Sequence, residues 1–140
     1  MTPSSLHLLL LEAFLRSNRE LTKRLPDVGL MPGQPKILEF LLTHEGCNQT
    51  DISEGCILDK STVTSLLKRM EAATLINKKT DASDQRSSLI YLTDLGKEKA
   101  IWVQKNLQTI DETELTGISP KERQQFLQTL DKIIQNQKNW

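Results

Sequence analysis

Residues 58–76 read LDKSTVTSLLKRMEAATLI, which is the pattern of one amphipathic helix. Asp59 is a favourable N-cap, and apolar side chains then recur at the spacing of a single helical face. The predicted inward face consists of Val63, Leu66, Leu67 and Met70. The outward face is rich in hydroxyls and poor in the glutamates that a solvated helix tends to have. It consists of Ser61, Thr62, Thr64, Ser65 and Lys68.

A two-stranded hairpin is predicted directly after this helix. Residues 81–93 read DASDQRSSLIYLT, and their polar, turn-rich start separates two short strands at 75–79 and 87–92. Thr93 is then a favourable cap for a long helix. Its predicted buried face consists of Ala100, Val103, Leu107 and Ile110.

Four more helices flank this unit. Prolines, glycines and capping residues place them at about 5–25, 35–46, 49–55 and from 119 onward. Ser4 or Ser5 caps the first helix, and Ile52 is the main buried residue of the short third one. The apolar stripe of the first helix is too wide for one contact face, so a second partner surface is expected.

The order of these elements predicts a mainly α fold with a small β-hairpin wing. A short helix, a tight turn and a longer helix followed by a hairpin form a winged helix-turn-helix. We assign residues 32–99 to this domain. Residues 1–31 and 100–140 are assigned to a helical dimerisation region, because their surplus apolar surface favours a two-fold interface.

Composition limits the class of protein. The chain has 140 residues with 18 basic and 18 acidic side chains, so net charge alone predicts no polyanionic partner. No apolar run approaches the ~20 residues that a bilayer requires, and no enzyme signature is present. Two cysteines flank a short helix at a spacing unsuited to a disulfide, which favours a reduced, cytoplasmic protein.

The ordered motifs resemble the multiple antibiotic resistance regulator (MarR) family of bacterial repressors. The shared features are a Ser/Thr-rich helix, a D-x-R wing at residues 84–86 and an L-T-x-x-G helix start at residues 92–96. The segment MPGQPKILEFL, residues 31–41, is similar to the second-helix opening of the family. The resemblance covers nearly the whole chain. It implies a DNA-binding transcriptional regulator, with no enzymatic activity.

Three positions depart from the family pattern. Thr74 stands where many members end the recognition helix with glycine, which indicates a different helix end. Ser65 and Gln85 stand where many members have arginine. Both losses weaken the attraction to phosphate, so we expect lower affinity for DNA or greater sensitivity to salt.

The candidate DNA surface is locally basic, since residues 59–86 carry two more basic than acidic side chains. Short hydroxyl side chains let a helix enter the ~12 Å major groove. The predicted contacts of the recognition helix are Lys60, Ser61, Thr62, Thr64, Ser65 and Lys68. Those of the wing are Lys79, Asp84, Arg86 and Ser87, and those of the third helix are Gln49 and Thr50.

Asp84 and Arg86 have two interpretations. A D-x-R sequence in a polar loop is usually only a soluble turn. In the functional interpretation, Asp84 accepts a charge-assisted hydrogen bond from Arg86 and fixes its guanidinium group. A preset arginine can then enter a narrow minor groove, as the resemblance implies for this position.

Other sites are less well defined. The inducer pocket implied by the family, which often takes small aromatic or anionic molecules, would be lined by Phe14, Arg16, Phe40 and Trp102, with core packing as the alternative role. His44 lies near Cys47, but no second ligand cluster completes a metal site, so no metal or other cofactor is predicted. Some relatives sense oxidants through a cysteine near the start of the first helix, which this chain lacks.

The sequence thus leads to one hypothesis and one rival. The hypothesis is a homodimeric repressor that binds a pseudo-palindromic double-stranded DNA site and is released by a small ligand or another signal. The rival is a dimeric winged-helix adaptor that has lost DNA binding, which the neutral net charge, Ser65 and Gln85 would permit.

Overall fold

The computed structural model describes residues 5–140 and contains the predicted mainly α fold with a hairpin wing. Its helices and strands are α1 (Leu6–Arg24), a 3-10 turn (Leu25–Val28), α2 (Gln34–Thr43), α3 (Gln49–Cys56), α4 (Lys60–Ala72), β1 (Ile76–Asp81), β2 (Asp84–Leu92), α5 (Asp94–Glu114) and α6 (Pro120–Gln137). None of the helices in this described part is long and apolar enough to cross a membrane.

Local sequence explains most of the helix boundaries. Asp59 accepts a hydrogen bond from the N–H of Thr62, and Ser119 accepts one from the N–H of Glu122, so α4 and α6 are capped as predicted. Asn48 and Asp51 form a reciprocal capping box at the start of α3. At α1 the capping position is Ser5, but its side chain makes no capping hydrogen bond. The alternative cap, Ser4, lies outside the described residues.

The end of α4 differs from the prediction. Thr74 adopts a left-handed conformation with φ 59°, as a glycine would, so the helix end is not built differently from a glycine-terminated one. Its carbonyl accepts a 2.6 Å hydrogen bond from the Thr93 hydroxyl, and that hydroxyl also accepts one from the N–H of Gly96. The L-T-x-x-G motif therefore ties the end of α4 to the start of α5.

The hairpin is longer at its tip than predicted. β1 and β2 are antiparallel, with Ile76 opposite Leu92 and Asp81 opposite Asp84. The carboxylate of Asp81 accepts hydrogen bonds from the N–H and the hydroxyl of Ser83, so a compact polar turn closes the ladder. On its other edge β2 pairs with Cys47, which joins the wing to the segment before α3.

Two compact units divide the chain between Leu107 and Gln108, within α5. In the first unit the predicted inward residues of α4 are buried, as is Ile52. The largest fully buried side chains of this unit are Ile37, Leu38, Leu41, Ile52, Leu67, Met70, Ile76, Ile90, Val63 and Val103. In the second unit, the guanidinium group of Arg123 donates to the carbonyls of Leu115 and Ile118 and so fixes the loop before α6.

Most apolar side chains of α1 are exposed. Only Leu21 is buried within the helix, whereas Leu8 is 55% exposed and Leu11 is 52% exposed. Contiguous apolar surface of this kind is unusual on an isolated monomer. The exposed set is Leu6, Leu8, Leu9, Leu11, Phe14 and Leu15, and we refer to it as the α1 leucine face.

Candidate nucleic-acid interface

The outward face of α4 is exposed along its length. All six predicted contacts on this helix are exposed: Lys60, Ser61, Thr62, Thr64, Ser65 and Lys68. Asp59 accepts a 2.7 Å hydrogen bond from the N–H of Thr62 and a 2.8 Å hydrogen bond from the hydroxyl of Ser61. These bonds hold the pKa of Asp59 below its ordinary value, so the cap is charged and fixes the start of the helix.

The hydroxyls of this face are not equivalent. Thr64 donates to the carbonyl of Lys60 and accepts a hydrogen bond from the side-chain amide of Gln49. Thr64 therefore holds α3 against α4. By contrast, no hydrogen bond or ion pair within the described residues engages Ser65 or Lys68, so both remain open to a partner.

At the wing, Asp84 acts on the backbone of Arg86. Its carboxylate accepts a 3.0 Å hydrogen bond from the Arg86 N–H. The expectation that Asp84 fixes the guanidinium group is therefore wrong in this structure, because a two-residue spacing favours a local side-chain-to-backbone turn. Arg86 is exposed, and in the described part of the chain it joins no ion pair.

The two other predicted wing contacts make hydrogen bonds or ring contacts within the hairpin. Ser87 donates to Asp81, whose carboxylate also accepts from Ser83; these bonds keep the pKa of Asp81 below its ordinary value. Lys79 lies over the ring of Tyr91, with its ammonium 4.6 Å from the ring centroid. The predicted contact Lys79 thus packs against the wing itself.

A polar cleft of about 390 Å³ joins the start of α3 to the wing. It brings together the predicted contacts Gln49 and Thr50 with Arg86 and Ser87. Lys78 also lines this cleft, although Lys79 is the lysine that was predicted from the sequence to contact DNA. The alternation of side chains along a strand places neighbouring lysines on opposite faces, but only the pairing register tells which lysine faces α3.

The MarR family model matches residues 30–88, which contain α2, α3, α4 and most of the wing just described. This part of the chain is similar to the MarR family. The organic hydroperoxide resistance transcriptional regulator of Bacillus subtilis (strain 168) is 39% identical over 92 residues, which are 61% of this chain and 63% of that protein's length.

Two solved structures extend the similarity to nearly the whole chain. A MarR family transcriptional regulator from Silicibacter pomeroyi is 29% identical with a TM-score of 0.81, covering 91% of this chain and 86% of that one. The transcriptional repressor CouR, bound to a 23-mer DNA duplex, is 26% identical with a TM-score of 0.78, covering 93% and 92%. These relatives are transcriptional regulators, not enzymes.

The four residues expected to line a MarR inducer pocket do not meet in one cavity. Phe14 borders a cavity of about 130 Å³ with Lys36 and Leu107, whereas Phe40 borders a separate cavity of about 370 Å³. Arg16 lies in a groove on α1, where it pairs with Glu12 at 2.8 Å. Trp102 is half-buried and borders neither cavity nor the groove. Within one chain these four residues therefore face different surfaces, and a pocket shared between them stays a prediction for the dimer.

The region around His44 has local contacts of its own. The His44 ring stacks on Phe40 with centroids 4.0 Å apart, and its Nδ1 lies 3.0 Å from the Phe40 carbonyl oxygen. In residues 5–140 no group of three His, Cys, Asp or Glu side chains could hold a metal ion. Burial, with a smaller contribution from Asp51, raises the pKa of Cys47 to about 11, and burial also raises the pKa of Cys56.

Proposed function

We propose that this chain is a sequence-specific double-stranded DNA-binding transcriptional repressor that acts in the cytoplasm as a homodimer. The observation that supports this most strongly is the continuity of its three candidate contact segments. Gln49 bonds to Thr64, which joins α3 to α4, and it also lines the cleft that leads to Arg86 on the wing. One exposed polar surface thus contains a helix sized for a major groove and an arginine, Arg86, that has no ion pair among residues 5–140.

The proposed docking places α4 in a major groove and Arg86 in the adjacent minor groove. Lys60, Ser65 and Lys68 are then among the α4 side chains open for base or phosphate contacts, whereas Ser61 and Thr64 make hydrogen bonds within the protein. The similarity to CouR, solved on DNA, supports this arrangement. Asp84 contributes by shaping the backbone at Arg86.

The homodimer is proposed from the α1 leucine face. Two-fold symmetric pairing of this face would bury apolar surface that the monomer exposes, and it would present two copies of α4 to DNA. A dimer of this kind binds half-sites about one helical turn apart, ~10 bp, so the expected operator is a pseudo-palindrome.

Release by a small anionic or aromatic molecule is part of the proposal. Lys36 borders both the cavity beside Phe14 and the cavity beside Phe40, and its ammonium lies 5.3 Å from the Phe14 ring centroid. A cation next to an apolar surface suits a molecule with a carboxylate and a ring. The two winged domains of a dimer can be spaced either to fit DNA or not to fit it. A ligand that binds the second arrangement more tightly would shift the population of dimers towards it and so release the DNA.

The test is titration of the purified protein with its own upstream DNA at several salt concentrations. Wild-type protein should prefer one site, and its affinity should fall steeply with salt. Arg86→Ala should weaken binding and reduce the salt slope by about one, with an unchanged melting temperature. Lys121→Ala, an exposed cation at the start of α6, is the matched control. Absence of binding even at low salt would instead favour the adaptor function.

A further inference from the structure

We propose that the cleft between α3 and the wing is a seat for a DNA phosphate, with Lys78 as its cation and Glu71 as a restraint on that cation. This inference rests on the proposed DNA-binding function and concerns one contact within it. Lys78 lines the cleft together with Gln49, Thr50 and Ser88. Its ammonium lies 4.0 Å from the carboxylate of Glu71, on the last turn of α4.

The position of the cleft relates it to the DNA backbone. If α4 occupies a major groove and Arg86 the adjacent minor groove, the sugar-phosphate strand between those grooves must pass between α4 and the wing tip. The cleft adjoins this path, because Gln49 in its wall is hydrogen-bonded to Thr64 on α4. Its walls offer hydroxyl and amide donors. Phosphate oxygens are commonly bound by such groups together with a lysine or an arginine.

The cleft contains two cations, Lys78 and Arg86, and two carboxylates. The acidic residues that share the cleft are Asp81 and Asp84, and both already accept hydrogen bonds within the hairpin. Lys78 instead has one long ion pair with a partly exposed partner. An exposed pair at this distance contributes little energy, so a phosphate can displace Glu71 from Lys78.

Lys79 provides an internal comparison. It carries the same charge, one residue further along β1, but its ammonium lies over the Tyr91 ring. The antiparallel register puts Lys78 opposite Ile90, on the face turned to the core, and Lys79 opposite Leu89 on the other face. The two adjacent lysines therefore have the same charge but differ in orientation and contacts, which makes them a matched pair for mutation.

The experiment measures DNA affinity against salt concentration for Lys78→Ala and Lys79→Ala, on the preferred site and on a scrambled duplex. Lys78→Ala should weaken binding to both duplexes by a similar factor, roughly 3- to 10-fold, and reduce the salt slope by about one. Lys79→Ala should leave the slope unchanged. Lys78→Arg should largely restore it. Melting temperatures verify that each variant is folded.

The role of Glu71 needs a double-mutant cycle. Glu71→Gln should tighten binding by roughly two- to fivefold, the range expected for release of an exposed ion pair. This gain should vanish in the Lys78→Ala background. A gain in affinity that persists in the Lys78→Ala background would mean that Glu71 merely repels DNA. This result would overturn the proposal that Glu71 restrains Lys78.

The outcomes separate this inference from the proposed function. Suppose that the wild-type protein binds DNA but that Lys78→Ala has the same salt slope as the wild type, or that only Lys79→Ala reduces the slope. Either result would overturn the phosphate seat without contradicting the proposed function. Failure of the wild-type protein to bind any duplex would overturn both.

A competition experiment distinguishes the DNA backbone from free phosphate as the occupant of the cleft. At equal ionic strength, inorganic phosphate should weaken DNA binding no more than chloride does, because one seat supplies only part of the affinity for DNA. Stronger competition would assign the cleft to free phosphate and overturn its assignment to the DNA backbone.

Discussion

Gly96 at the start of α5 lies directly against the backbone of Leu75, in the link between α4 and β1. A Cβ atom built on Gly96 would lie 2.0 Å from the Leu75 carbonyl oxygen, which is far inside van der Waals contact. The same oxygen accepts a hydrogen bond from the N–H of Thr93. The segment that follows α4 and the start of α5 are therefore held together by a backbone contact that leaves no room for a side chain.

We expect Gly96→Ala to destabilise the fold by about 3 kcal/mol, because the obstructing atom is backbone and cannot rotate away. Urea denaturation followed by circular dichroism measures this change. Glu98→Ala, at an exposed position in the same helix, is the control and should change stability by less than about 0.5 kcal/mol. Equal effects of the two substitutions would show that the close approach costs nothing.

Sequence patterns predicted the fold well where local chemistry determines it. The cap at Asp59 and the inward face of α4 both follow from spacing alone. The wing tip was less predictable, because the strands extend to Asp81 and Asp84 despite the low strand propensity of these residues. Hydrogen bonds from Ser83 to Asp81 close the turn, and such compensation is not visible in propensities.

Thr74→Gly should stabilise the protein. A β-branched residue in the left-handed conformation, as Thr74 is, destabilises the folded state by roughly 1–2 kcal/mol, which glycine would relieve. Glycine also has greater conformational freedom in the unfolded chain, and this reduces the net stabilisation to about half of that value. The hydrogen bond from Thr93 survives because its acceptor is the backbone carbonyl of residue 74. A rise in the melting temperature of roughly 2–4 °C is the expected result.

Ala73→Gly is the matched control for this substitution. Ala73 is exposed and adjoins Thr74, but its φ is −84°, which any residue adopts without strain. Glycine at this position should lower the melting temperature or leave it unchanged. If both substitutions lowered the melting temperature equally, Thr74 would not be strained, and its departure from the family's glycine would need no energetic explanation.

The candidate DNA surface shows which contacts cannot be predicted from the sequence alone. The outward-facing residues of α4 were correctly predicted to be exposed, but which of their hydroxyls remain available depends on tertiary partners, since Thr64 bonds to Gln49 from another helix. The choice between Lys78 and Lys79 depends on strand register, which is set by long-range pairing. A periodic pattern identifies a face, whereas contacts between elements determine what each side chain on it can do.

The cysteines should respond weakly to oxidants at neutral pH. The thiolate is the reactive form, and a pKa of about 11 leaves roughly one Cys47 thiol in ten thousand ionised at pH 7. Although a relative is an organic hydroperoxide resistance regulator, we expect an organic hydroperoxide to leave DNA binding by this chain unchanged. Fast thiol modification at pH 7 with loss of DNA binding would contradict this expectation.

The same pKa predicts a pH dependence of stability. The folded state raises the pKa of Cys47 from its ordinary value of 9.0 to about 11, so it binds the thiol proton more tightly than the unfolded chain does. This contribution to the free energy of unfolding is fully present below pH 9 and is lost as the pH rises through 11. Cys47→Ser should flatten the decline in stability measured by urea denaturation between these values. An equally steep decline in Cys47→Ser would assign it to other groups.

The α1 leucine face should be the surface through which two chains associate. Leu11 and Leu15 lie about one helical turn apart and are 52% and 49% exposed. Leu11→Glu with Leu15→Glu would place four carboxylates in a two-fold interface, where unpaired charges are strongly unfavourable. Sedimentation velocity should therefore show a monomer for this double variant and a dimer for the wild-type chain. Ala72→Glu, which adds a carboxylate to the exposed surface of α4, should leave the dimer intact. A double variant that still sediments as a dimer would place the interface elsewhere on the molecule.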